Sequence, residues 1–220
     1  MRSFAELLSC LFFLIIVLSS CNAPTFRIFE KPVIFDEERE RLSVEYLQKR
    51  HGIEAEDSSI DPRMIVVHWT EISTLEDTWD FFNSPYLDAR PDILEASALN
   101  VSAHFLVDRD GTIFRLLPDT TFARHTIGLN YMAIGIENIG GSNAPLTRAQ
   151  LMANEQLIRY LYERHSIEWV IGHHEYYAFR DSNLWMETDP DYLTYKIDPG
   201  DRFMKRLRKR LADLNPRYLP

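Results

Sequence analysis

Short apolar bursts alternate with charged, helix-periodic stretches along most of the chain. From Asp36 to His51, Leu42, Val44, Tyr46 and Leu47 recur among charges, which predicts a helix stopped by Gly52. Met64 to His68 is a continuous apolar run ending in a histidine, the pattern of a strand buried on both faces of an α/β sheet. Ser73 and Glu76 have capping-box spacing and predict a helix to Phe82. Ser102–Val107 and Thr112–Leu117 read as a hairpin, joined by Asp108-Arg109-Asp110-Gly111. Met132 to Ile136 predicts a further strand, ending at Glu137, and Trp169 to Gly172 a last one, ending at His173. Between them, Thr147 and Gln150 form a capping box that opens a helix to about His165. After a long irregular segment, Glu175 to Lys196, a helix from Asp201 turns Phe203, Met204, Leu207 and Leu211 toward a core. Strands alternating with helices predict an α/β domain in three layers, a central mixed β-sheet flanked by helices.

The start of the chain departs from this rhythm. Leu7 to Leu18 is almost wholly apolar, short for a membrane-spanning helix and right for a signal-peptide core. Leu18-Ser19-Ser20-Cys21 follows and resembles a bacterial lipobox, in which the signal is cleaved before the Cys and the thiol carries lipid; the alternative is a secretory signal with an incidental Cys. Cys10 would leave with the signal, so Cys21 would be the one mature cysteine and no internal disulfide could form. The expected layout is a signal peptide over 1–20, a tether over 21–33 broken by Pro24 and Pro32, and one folded domain over 34–220. Asn22, rather than Asp, follows Cys21 and favours the outer membrane, facing the periplasm. Within 220 residues the net charge is −9, which argues against a nucleic-acid partner, because phosphate binding needs a basic face. A monomer is expected.

Three apolar runs each end in a residue that can do chemistry: His68, Glu137 and His173. Sites in open α/β sheets gather beyond the carboxyl ends of strands, so the three could converge. Taken singly, each is more simply a satisfied polar residue at a sheet edge. Asp198 precedes Pro199, which biases it toward extended backbone, and Lys196, two residues earlier, would share its face. Two His and one Asp make a plausible three-ligand zinc site with a fourth position for water.

Val66-Val67-His68-Trp69-Thr70, Ser102-Ala103-His104-Phe105, Asp108 to Gly111, Ile134-Gly135-Ile136-Glu137, Ile171-Gly172-His173 and Lys196-Ile197-Asp198-Pro199-Gly200 occur in one order. That order resembles the type-2 N-acetylmuramoyl-L-alanine amidases, which include AmpD-like amidases, phage lysozyme-type amidases and peptidoglycan recognition proteins. The resemblance spans about Met64 to Gly200. It implies zinc ligation by His68, His173 and Asp198, with Glu137 and Lys196 as the catalytic pair. Glu137 would act as general base, zinc would acidify water and polarise the lactyl amide carbonyl, and Lys196 would stabilise the oxyanion. Some relatives place a Tyr just before the His of the second block; here it is Ala103, as in AmpD-like members, which leaves the base role to Glu137. His125, in Arg124-His125-Thr126-Ile127-Gly128, is similar to the family's substrate-side Trp-His-x-Gly segment, with Arg124 in place of Trp, and implies a substrate contact.

Two departures stand out. The segment from His174 to Tyr195 is longer than in AmpD-like members and rich in aromatics, either a wall of the substrate groove or a packed surface loop. The doubled His173-His174 offers two ligands; His173 is preferred because it follows Gly172, as in the family block. The expected function is zinc-dependent hydrolysis of the amide between N-acetylmuramic acid and L-alanine in peptidoglycan, with peptidoglycan or muropeptides as partners. The rival is a non-catalytic peptidoglycan-binding protein. Such members typically lose a ligand, and this chain retains all three together with Glu137 and Lys196.

Overall fold

The computed structural model describes residues 26–88 and 90–220; the expected signal peptide and Cys21 lie outside them. Six strands form one mixed sheet in the order β1 (Ile28–Glu30), β4 (Ile113–Arg115), β3 (Phe105–Val107), β5 (Ala133–Asn138), β2 (Met64–Trp69), β6 (Trp169–Gly172). Only β3 and β4 pair antiparallel; the hairpin turn between them closes with the Gly111 N–H donating to the Asp108 carbonyl, Gly111 at φ 91°.

The parity of the strands assigns the layers. Ile65 and Val67 of β2, Ile134 and Ile136 of β5, and Val170 of β6 pack with α4 (Arg148–Tyr162) and α5 (Asp201–Arg210). Met64, Val66, Ala133, Trp169 and Ile171 leave the opposite face and pack with Leu129, Met132, Tyr176 and Phe179. On that second face α2 (Leu75–Asn83), followed by the single turn α3 (Pro91–Leu94), seats Phe82 against Leu106, and α1 (Glu37–His51) packs Tyr46 and Leu47 on Phe122. Helices or helical turns thus cover both faces of a buried sheet, as the alternating pattern implies.

Several boundaries differ from expectation. The stretch expected as tether contains β1, whose Ile28 pairs with Ile113, and the Val33 N–H donates to the Leu116 carbonyl, so ordered packing begins before residue 34. Thr74, not Ser73, caps α2, accepting from the Asp77 N–H. The capping box Thr147–Gln150 forms at α4, but that helix ends at Tyr162 because the Arg164 and His165 N–H groups both close on the Leu161 carbonyl. The hairpin strands are shorter than expected: the Ser102 N–H turns away to the Arg124 carbonyl, and the Leu116 and Leu117 N–H groups share the His104 carbonyl, which breaks the regular pairing. Within the expected irregular segment, His173–Phe179 forms a 3-10 helix that buries Tyr176 and Phe179.

Candidate active site

The sheet ladder sets out the site. His68 follows Met64 and Val66 in parity, so it leaves the face away from α4 and α5, and the register pairs it with Glu137 on β5. On the other side Val67 pairs with Gly172, which brings His173 next to His68. Their rings lie 4.3 Å apart, centre to centre. A buried amide relay supports this end of β2: Asn154 on α4 donates to Asn138, and Asn138 donates to the His68 carbonyl at 3.0 Å. Nothing in the apolar pattern marked these two asparagines.

Asp198 arrives from the far end of the chain. Its Oδ2 lies 3.0 Å from His173 Nδ1 and 3.3 Å from His68 Nδ1. One ligand atom from each of the three residues falls within 4.8 Å of the other two. Burial drives the His173 pKa down to about 4, so its ring is neutral and offers a lone pair at neutral pH. Burial works to raise the Asp198 carboxyl, yet the His173 imidazole, its hydrogen bond and His68 hold it well below the usual carboxylate range. Two imidazoles and an ionised carboxylate converging on one point fit a divalent metal of zinc type.

His174 turns away. One ring nitrogen lies 2.9 Å from the Asp198 carbonyl and the other 3.0 Å from Asp201 at the start of α5, so His173 is the member of the pair that joins the cluster.

Glu137 and Lys196 line the same cleft of about 320 Å³ with His68, His173 and Asp198. Burial raises the Glu137 pKa to about 7, opposed by His68 and Lys196 and reinforced by Asp198, and its Oε2 has no protein partner. A carboxyl poised near neutrality beside such a ligand cluster can take a proton and return it. Tyr195, 93% exposed, stands on the rim of this cleft.

His125 also lines the cleft, but its ring nitrogens have protein partners: Nε2 donates to the Ala133 carbonyl at 3.1 Å, while Nδ1 faces His68 Nε2 at 3.1 Å and Thr126 Oγ1 at 2.9 Å. With Nε2 protonated, Nδ1 accepts from His68 Nε2–H, which turns the other His68 ring nitrogen toward Asp198 and the ligand cluster. The ring rests on Gly135, where a Cβ would come within 2.9 Å of it. His104 behind it is structural, donating to the Thr121 carbonyl and accepting from the Gly135 N–H.

The sequence profile of the N-acetylmuramoyl-L-alanine amidase family matches residues 58–201. The chain belongs to this family. No curated protein matches it. Among solved structures, the N-acetylmuramoyl-L-alanine amidase LysC from Clostridium intestinale URNW is 19% identical, with a TM-score of 0.51 over 87% of this chain and 99% of that one. The endolysin amidase LysCS of the same organism is 19% identical, at 0.52 over 87% and 97%. AmpD is 21% identical, at 0.50 over 83% and 93%. These likenesses show the amidase fold. The matched profile takes in every residue of the cleft cluster, and α1 lies before it.

Proposed function

We propose that this amidase-family chain is a zinc-dependent N-acetylmuramoyl-L-alanine amidase that cuts the glycan-to-peptide amide of peptidoglycan. The observation that carries this reading is the convergence of His68, His173 and Asp198 in one cleft with Glu137. Zinc held by those three would supply Lewis acidity to the attacking water and the scissile carbonyl. Glu137 takes the proton of that water and passes it to the departing amine of L-alanine. Lys196 sets a positive charge beside the carbonyl oxygen as it becomes an oxyanion. His125 orients His68, and with both ring nitrogens committed it meets substrate through the ring edge that faces the cleft.

The same reading carries a location. The run Leu7–Leu18 and the tetrapeptide ending in Cys21 support a lipid-anchored, periplasm-facing enzyme, with Asn22 favouring the outer membrane. Cys21→Ser should then release the protein from membranes that hold the parent at high salt, since acyl insertion resists screening and exposed basic side chains such as Arg202, Lys205 and Arg206 on α5 do not. A processed Cys21→Ser protein still bound at high salt removes the anchor.

Activity is tested by incubating the zinc-loaded soluble chain, starting at Ala23, with purified sacculi and analysing the products by mass spectrometry. Stem peptides with a free L-alanine amine are expected. Binding to sacculi without release of such peptides would establish the non-catalytic alternative.

A further inference from the structure

Beside the metal cleft lies a second, smaller cavity of about 50 Å³, sharing His125, His173 and Lys196 as wall residues. Its far side is made by α1 and by the long aromatic segment, through Tyr46, Tyr192 and Thr194. Three polar atoms on its lining residues are buried and have no hydrogen-bond partner: Tyr46 Oη, Asn130 Nδ2 and Thr194 Oγ1. Tyr46 and Asn130 are 1% and 0% exposed. Buried polar groups ordinarily find partners, so three orphans around one small space are a departure that points to a ligand. All three can donate; burial pushes the Tyr46 phenol well above its usual range, which keeps its proton in place.

The charge at this cavity has one sign. Arg124 lines it and is 3% exposed. Its guanidinium donates to the carbonyls of Ile93, Ser97 and Leu99 and to the Tyr192 hydroxyl, and it has no carboxylate partner among the described residues. No acidic side chain lines the space among the described residues. Glu187, the buried acid of the same segment, is committed to Arg50 at 2.8 Å. A buried cation without a counter-ion, next to three free donors, favours an anion over a neutral acceptor. The volume suits a carboxylate or a few waters.

We propose that this cavity is a subsite for a free carboxylate of the stem peptide, carried within a residue or two of the scissile amide. The assignment rests on the amidase reading, because it is the metal cleft next door that brings a peptide here. It makes the enzyme selective for stem peptides whose second residue keeps its carboxylate over those in which it is amidated.

The test is calorimetric binding to the zinc-loaded full chain carrying Glu137→Ala, in which turnover is slowed enough for binding to be read. Two muramyl dipeptides are compared, differing only in carboxylate against carboxamide at the second residue. The carboxylate form should bind about tenfold tighter, the scale of a charge-assisted hydrogen bond. Adding Tyr46→Phe and Thr194→Val should lower that ratio severalfold, with Arg124 and Asn130 still in place, without lowering the thermal midpoint, since each swap removes an unpartnered hydroxyl and nothing else. Equal binding of the two dipeptides, binding of neither, or a ratio unmoved by the two swaps would overturn the subsite and leave a cavity for solvent only. Cleavage of the same dipeptides by the unsubstituted chain is scored separately. If neither is cut, the amidase reading falls while the binding ratio still decides the subsite.

Discussion

His68 and Glu137 sit in strand ladders and His173 directly follows the last rung of one, whereas the wall segments beside them are held by single contacts. Along β2, β5 and β6 the register is repeated residue after residue, and the metal-side atoms inherit its rigidity. The wall has no ladder. The Thr188 N–H donates to the Arg50 carbonyl, His51 Nδ1 to the Met186 carbonyl, and the Met186 N–H to the Gly128 carbonyl. Arg50 reaches Glu187 and stacks over Tyr192, and Trp185 covers Gly128 so closely that a Cβ there would meet it at 2.7 Å. On the proposed reading, chemistry sits where geometry is most repeated and recognition where contacts are individual. The two regions should therefore fail differently when cut.

The largest effect belongs to the ladder side. His173→Ala, or stripping zinc with a chelator, should abolish release of stem peptides from sacculi, and zinc should restore the parent but not the variant. Glu137→Ala should keep its zinc, measured by metal analysis, and lose about 10²–10⁴-fold in kcat. An unchanged rate would remove the proton-transfer role and leave the metal site standing. Lys196→Ala should cost about 10²–10³-fold, as for loss of one oxyanion contact. It should also move the acid limb of the rate profile upward. Lys196 lowers the Glu137 pKa, so its removal favours the neutral carboxyl and the base form is lost at a higher pH.

Wall substitutions should act on KM and stability more than on kcat. Arg50→Met strands Glu187, whose side chain is fully buried, and about 2–3 kcal/mol of stability should go with it, read by denaturant unfolding. The smallest effect returns to the cleft. The Glu137 pKa is raised by burial, so the stability its neutral form contributes is complete below about 4.5 and lost by about 7. Glu137→Gln should raise the thermal midpoint of the metal-free protein by a few °C at pH 8 and leave it nearly unchanged at pH 4. A uniform shift at both pH values would mean that packing, not titration, is responsible.

Legibility in the sequence follows the same division. Met64–His68, Met132–Glu137 and Trp169–His173 could be read because an apolar run that stops at a polar residue marks both a buried strand and its end. The α5 stripe of Phe203, Met204, Leu207 and Leu211 is buried as its period implies. The α2 cap could not be fixed, since Ser73 with Glu76 and Thr74 with Asp77 have the same spacing and only tertiary packing chooses. β1 escaped because a three-residue edge strand beside Pro32 has too few residues to show a period. Asn138 with Asn154, and the cavity of Tyr46, Asn130 and Thr194, join residues far apart in sequence through side chains alone, and such meetings leave no local trace. Arg124 could be seen to replace a Trp, but not that it would reach four acceptors on two segments.

The stapling of the aromatic segment to α1 makes the two a single transplantable part. Moved alone into another amidase, the segment would leave the Met186 carbonyl without His51, Glu187 without Arg50 and the Thr188 N–H without the Arg50 carbonyl. Chimeras that exchange substrate preference should therefore carry residues 37–52 together with 174–195, and those that carry only the second stretch should fold into an amidase whose groove has lost one side.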